Sequence, residues 1–324
     1  MDAVVRVLGS AYRGLVIVAS QRLGDLLGSA EGGFKNAAAR QHYLEVYARV
    51  RALSLCPDVV HDIETEFGTV RVYQHGPRAG EPIVLVHGFF LTSAMWWEQV
   101  AGLTGDFTVY AIDMLGQPGA STQTKKMSTT ADAARCIAAV LETLNLSNVH
   151  LVGHSYGGWL ATYTAAEAPH RMATLTLVDP AHTVGRLSGR FWWTLALLLS
   201  RPRSARAQRA AARVLGDSTA GSPVDALTSL FVAGFVSFAA PLNTPPLRMA
   251  RDRVLRSLDL PVQVLLASNT IHNSAKAIRR LASVVPKWQH HLLPNTSHAL
   301  FAERPGEVNE CIRQFVVTHR RGAS

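Results

Sequence analysis

Residues 151–160 read LVGHSYGGWL. Ten letters hold the end of an apolar strand, a Gly-rich turn and the start of a helix. Ser155 stands at the centre, with Gly153 and Gly157 two residues to either side, so the turn has the form G-x-S-x-G. The glycines are required because the serine sits on a sharp turn where the backbone is crowded and flanking side chains would clash. Such a turn lifts the Ser155 hydroxyl above the end of a sheet. It also aims the backbone N–H of Tyr156, at the helix N-terminus, toward any oxygen that develops negative charge there.

Two other segments complement this turn. His87-Gly88-Phe89-Phe90 follows the apolar run IVLV, the place from which a second N–H donor would come; Phe89 is the candidate, and His87 reads as a residue that holds the loop. The stretch HLLPNTSHALFAERPGEV places His298 between a last strand and a terminal helix starting near Pro305. A serine hydroxyl is a poor nucleophile until a neighbouring imidazole takes its proton, and His298 is the base that the setting supplies.

The rest of the chain alternates strand and helix. DIETEFGTVRVYQHG reads as a hairpin turning at Gly68. PIVLVHG, FTVYAID, NVHLVG, TLTLVDP and PVQVLLA are continuous apolar runs of the kind buried on both faces of a parallel sheet, and WQHHLLP is a weaker one. Ala134, Ile137, Ala138, Leu141 and Leu144 mark one face of a helix between two of them. Such alternation predicts a doubly wound, mostly parallel α/β sheet of about eight strands. Between Asp179 and Val262 the chain runs about 80 residues, where 2–6 are usual. This stretch holds FWWTLALLLS, an Arg/Ala-rich run and DALTSLFVAGFVSFAAPL, which together predict a helical cap. The expected organisation is a helical extension over 1–57, a core from 58–180 and 260–324, and a cap over 181–259.

On the segments VHGFF, AIDMLGQPGAS, GHSYGGW, LVDPAH and PNTSHALFAERPGEV the chain resembles the α/β-hydrolase superfamily. It is similar to the bacterial carboxylesterase-like branch, over about residues 35–318. The resemblance implies the α/β-hydrolase fold, a cap inserted after the sixth strand, an oxyanion hole from Phe89 and Tyr156, and hydrolysis of an ester or thioester through an acyl-enzyme on Ser155. Asp113 and Gly116 match a loop that is structural in most such enzymes. The chain departs from the pattern at the acid, usually carried after the seventh strand. That loop reads VLLASNTIHNSAKA and contains neither Asp nor Glu. Asn269 best matches the position and carries no charge to stabilise an imidazolium. Asp179, at the end of the sixth strand in a D-P-A context that some lipases of the superfamily use, is the preferred acid, with Asn269 as the second candidate.

Phe90, Met95, Trp96 and Trp97 beside the oxyanion loop, with Phe191, Trp192, Trp193, Phe231, Phe235 and Phe238 of the cap, are expected to wall the site; Phe90, Trp96, Trp97, Trp192 and Phe235 are the chosen substrate contacts. An apolar lining would favour a hydrophobic acyl group. A thioesterase or cyclase acting on a carrier-bound substrate is an alternative. So is a hydrolase-fold protein that binds a ligand without efficient hydrolysis, a reading favoured only by the acid-free loop at Asn269.

Bulk composition adds boundaries. The 324 residues are 48% hydrophobic, enough for a large core, and the formal net charge is +9. Seven arginines and no acidic residue lie between Ala181 and Gly216. Such a run is either a solvated face or a docking surface for an acyl carrier, a phosphopantetheine arm or an anionic lipid surface. No nucleic-acid module, metal motif or cofactor fingerprint is present. Cys56, Cys136 and Cys311 are far apart with no CxxC pair, which argues against a disulfide framework. The steps from Val5 through Leu8, Tyr12, Leu15, Ala19 and Leu23 to Leu26 make one amphipathic stripe, and no stretch reaches the roughly 20 apolar residues that span a bilayer. A soluble cytoplasmic protein is expected, acting on a small ester or thioester, with no oligomeric state specified.

Overall fold

A computed structural model describes residues 33–216, 221–238 and 243–320. The stripe expected from Val5 to Leu26 lies outside them. Helix α1 (Ala37–Arg51) comes first, started by Asn36, whose side chain accepts the N–H of Ala39. Strands β1 (Val59–Thr65) and β2 (Gly68–His75) form the expected antiparallel hairpin, with Thr65 opposite Gly68.

Then come β3 (Glu81–Val86), β4 (Phe107–Ile112), the two-residue β5 (Thr122–Gln123), β6 (Val149–His154), β7 (Met172–Val178), β8 (Val262–Asn269) and β9 (Gln289–Ser297). The main path of the sheet runs β1-β2-β4-β3-β6-β7-β8-β9, with β5 paired to β2 at its side. Every neighbouring pair from β4 onward is parallel, while β2 meets β4 antiparallel. Because β5 is so short, the strand read from sequence as the sixth is β7, and the seventh is β8.

The helices are α2 (Trp97–Leu103), α3 (Thr130–Thr143), α4 (Tyr156–Glu167), α5 (Gly189–Ser200), α6 (Ala205–Leu215), α7 (Pro223–Ser237), α8 (Asp252–Arg256), α9 (Ser274–Val284), α10 (Leu300–Glu303) and α11 (Pro305–Thr318). A Thr129/Asp132 capping box starts α3, and serine side chains cap α5, α6 and α7. Among the described residues no helix is long and apolar enough to cross a membrane.

Strand residues alternate between two cores, one on each face of the sheet. Ile83, Leu85, Phe107, Val109, Ala111, Leu265 and Ala267 join one, with α1, α2, α11 and the cap helices α5, α6 and α7. Val84, Val86, Tyr110, Ile112, Val264 and Leu266 join the other, with α3, α4 and α9. A strand buried on both faces carries no polar alternation, which is why the central strands read as unbroken apolar runs. Edge strand β9 is exposed at most of its positions, so its sequence signal was weak.

Helix α1 is held to this frame at two places. Phe34 bridges to Phe238, with the rings edge-on at 5.1 Å. At the other, the Tyr47 hydroxyl donates to Asp113 Oδ2 at 2.8 Å. Asp113, fully buried after β4, also accepts the N–H groups of Ser93 and Ala120 at 2.8 Å each. Its role is structural, as the sequence implied: it closes the backbone of the loops around β3 and β4.

At the C-terminal end of β6 the chain turns into α4 with almost no spare volume. A Cβ on Gly157 would run into the carbonyl oxygens of Val86 and His87, and one on Gly153 would stand 2.5 Å from the carbonyl of Gly157. The obstacles are backbone and cannot rotate away. Gly157→Ala is therefore expected to cost about 1–3 kcal/mol or more, the scale of an overpacked core. The check is a thermal melt: a drop of several degrees is predicted, and an unchanged midpoint would contradict this packing.

Candidate active site

Ser155 occupies the N-cap of α4 with φ 52° and ψ −116°, a conformation that side chains rarely adopt and that costs about 1–3 kcal/mol. Backbone hydrogen bonds hold it there. The Ser155 N–H donates to Val178 O at 3.1 Å, and its carbonyl accepts the N–H of Ala181 at 3.0 Å. Val178 and Ala181 flank Asp179 and Pro180, so the same two bonds fix the loop after β7 against the serine turn. Asp179 itself has φ 43° and donates its N–H to Leu265 O at 2.7 Å.

The Asp179 side chain is fully buried and surrounded by donors. His298 Nδ1 lies 2.5 Å from Oδ2, and the Thr270 hydroxyl donates to the same oxygen. Oδ1 accepts the N–H of Ala267 at 3.3 Å and has His272 Nε2 at 3.2 Å. Burial alone would push this carboxyl up, but the two imidazoles on its oxygens outweigh burial and hold it well below the usual carboxylate range. Asn269 is elsewhere: it ends β8, exposed and in register with Ser297. Thr270 and His272, in the loop that lacks an acid, were not singled out from sequence. Their signal was present only as a hydroxyl and an imidazole just beyond the expected acid position, and it takes on meaning once Asp179 faces that loop.

His298 follows β9, where Glu303 clamps Ser297 through its N–H and its hydroxyl, both at 2.7 Å. The His298 carbonyl accepts His154 Nε2–H at 2.9 Å, and the two rings lie 4.5 Å apart. Burial, reinforced by the nearby His298, keeps His154 well below the usual imidazole value, so it is a neutral Nε2–H donor. His154, adjacent to Ser155, therefore positions the loop that carries His298 from the serine side.

The oxyanion-hole candidates are both backbone. The Phe90 N–H is taken by Gln117 Oε1 at 2.9 Å, whereas no acceptor among the described residues takes the N–H of Phe89 or Tyr156. His87 holds this loop as read from sequence. Its Nε2 accepts the N–H of Met114 at 2.9 Å, which makes Nδ1 the protonated nitrogen, donating to Gly88 O at 2.8 Å.

Ser155, His298, His154, Gly88 and Phe89 line one pocket of about 470 Å³, counted out to its mouth. No hydrogen bond joins Ser155 to His298 among the described residues, although both face this space. Its remaining wall is apolar: Leu91, Phe191, Leu195, Leu198, Val214, Leu215 and Phe231, with Thr194. The expected substrate contacts Phe90, Trp96, Trp97, Trp192 and Phe235 are not among the residues that line this pocket. Phe90 is stacked on Phe235 at 4.0 Å, and Trp96 is fully buried against Phe301 at 5.4 Å. Trp97 is buried in the same core, and Trp192 packs edge-on to His182 at 6.0 Å. Adjacent residues in a turn or helix point different ways, so Phe89 and Phe191 reach the pocket while Phe90 fills the core and Trp192 is half-buried beside His182. Among the described residues, no group of three or more His, Cys, Asp or Glu side chains is arranged to hold a metal ion.

Comparison with known proteins follows the same lines. Residues 81–305 match the family model of the alpha/beta hydrolase fold. The relative named uncharacterized carboxylesterase nap, from Bacillus subtilis, is 26% identical over 260 residues, 78% of this chain and 85% of that protein. Carboxylesterase YbfK of the same organism is likewise 26% identical, over 78% of this chain and 86% of its own. The crystal structure of naproxen esterase from Bacillus subtilis superposes with a TM-score of 0.77 at 25% identity, covering 85% of this chain and 96% of that one.

The buried carboxylate has a consequence for acid stability. Because the folded value of Asp179 lies below the unfolded one, its ionised form stabilises the fold above about pH 4, and this contribution is lost as the pH falls toward the folded value. Melting temperatures measured downward from about pH 5 should fall more steeply in the wild type than in Asp179→Asn. Parallel acid limbs would show that the carboxyl is not held low.

Proposed function

The chain belongs to the alpha/beta hydrolase family, and from that premise we propose that it is a carboxylic ester hydrolase working through Ser155, His298 and Asp179. One observation carries the reading: a buried carboxylate 2.5 Å from His298 Nδ1, with His298 and Ser155 on the wall of one pocket. Asp179 keeps the proton on Nδ1, which leaves the Nε2 lone pair to receive the proton of the Ser155 hydroxyl. The serine oxygen adds to the ester carbonyl, and the oxygen that becomes negative is met by the N–H groups of Phe89 and Tyr156. Collapse breaks the bond to the alcohol, which leaves with the proton from Nε2. Water then repeats the sequence on the acyl-enzyme, releasing the acid and restoring the serine.

The lining of Leu91, Phe191, Leu195, Leu198, Leu215 and Phe231 supports a hydrophobic acyl group. Ester is preferred to thioester because the two Bacillus subtilis relatives bear carboxylesterase names. The alternative of a ligand-binding protein is favoured by the acid-free loop alone, and the Asp179 carboxylate beside His298 Nδ1 counts against it.

The test is hydrolysis of p-nitrophenyl esters from acetate to decanoate. Ser155→Ala should abolish turnover, and Asp179→Asn should lower it by about three to four orders of magnitude, as amide-for-carboxylate exchange does in a serine protease triad. Asn269→Ala should change it by less than about tenfold. The reverse order of effects would sink the assignment of the acid. For the pocket, Leu195→Phe should move the chain-length optimum to shorter esters, with about a tenfold loss on the longest and acetate little changed. An optimum that stays in place would put the acyl chain elsewhere.

A further inference from the structure

Helices α5 and α6 form two different surfaces. Toward the core, Ala207, Ala211 and Leu215 recur at four-residue steps on α6 and are buried, while Phe191, Leu195, Leu198, Val214 and Leu215 wall the pocket beside Ser155. On the outside lies a second cleft of about 730 Å³, counted out to its mouth. It is lined by Arg190, Trp193, Thr194 and Leu197 of α5 and by Arg206, Arg209, Ala210 and Arg213 of α6. Thr194 borders both spaces.

Among the described residues, no carboxylate pairs with the arginines of this cleft. None of the seven arginines between Arg186 and Arg213 is in an ion pair among the described residues. Elsewhere some surface arginines have carboxylates, as Arg71 has Asp62, Arg135 has Glu66 and Asp132, and Arg313 has Asp106 and Glu310; the cap differs in setting several unpaired arginines around one cleft. The cleft also carries exposed apolar surface, which a soluble anion would not need. Trp193 is 57% exposed, with the Arg206 guanidinium 5.6 Å from its ring centre. Guanidinium groups suited to phosphate oxygens, set beside an exposed tryptophan, match the boundary of an anionic lipid layer, where phosphates overlie acyl chains.

We propose that the α5–α6 hairpin is a docking surface for anionic phospholipid, with Arg190, Arg206, Arg209 and Arg213 on lipid phosphates and Trp193 at the headgroup boundary. Docked this way, the helices that meet the lipid are the same two that wall the pocket beside Ser155. The proposal does not depend on ester hydrolysis, so its failure and the failure of that reading are separable.

Co-sedimentation with vesicles tests it, comparing phosphatidylcholine alone with phosphatidylcholine containing about 30 mol % phosphatidylglycerol. The full chain should bind the anionic vesicles, release at about 0.5 M salt, and bind equally well as Ser155→Ala. Arg206→Gln combined with Arg209→Gln should weaken partition by about tenfold or more, near fivefold for each charge at the surface. Trp193→Ala should weaken it further, with the melting midpoint and p-nitrophenyl acetate hydrolysis unchanged. Because the whole chain is basic, the control removes two charges elsewhere: Arg253→Gln with Arg256→Gln on α8 should bind like wild type. Equal binding to both vesicles, or equal loss in the control pair, would overturn the proposal. So would glycerol phosphate binding without vesicle binding, which would give the cleft to a soluble phosphate ester.

Discussion

A carboxylate with no exposure to water must find its hydrogen bonds inside the protein, and Asp179 finds them on two other segments. Its oxygens face the Ala267 N–H, Thr270 and His272 around the end of β8, and His298 after β9. An ionised group left without such partners would cost several kcal/mol or would neutralise itself. The loops at the ends of β7, β8 and β9 are thus tied through one charge. That charge also favours the His298 tautomer protonated on Nδ1, the form the proposed mechanism needs.

The backbone completes the constraint. Ser155 is anchored on both sides of Asp179 by bonds to Val178 and Ala181, while His154 holds the carbonyl of His298. Ser155, Asp179 and His298 are therefore positioned by strand ends and a helix start rather than by free loops, at the carboxyl ends of parallel strands where open α/β sheets place their sites. Strain at Ser155 is tolerated because the surrounding packing leaves the turn no other course: the glycines at 153 and 157 stand against backbone, not against movable side chains.

Much of this was legible from residues alone. The central strands read as apolar runs because both faces are buried, and G-x-S-x-G between strand and helix located the turn. Asp179 was preferred as acid because it ends a strand in a D-P-A context, even though the usual loop offers only Asn269. Other features were not legible. Thr270 and His272 carry no pattern in one dimension, since their relation to Asp179 exists only through the pairing of β7 with β8. The aromatic residues show a related limit: chain position sets Phe90, Trp96 and Trp97 near the site, but rotation about the turn and the short helix decides which ones line it. Core packing took those three, and the smaller aliphatic side chains of α5 took the wall.

The most direct measurement is the proton NMR spectrum downfield of the amide region. An imidazole Nδ1–H held by a buried carboxylate should give a strongly deshielded resonance, assigned by its loss in His298→Gln. This account predicts that the signal disappears in Asp179→Asn and survives in Asn269→Ala. A signal that persists without Asp179, or that vanishes with Asn269, would contradict it.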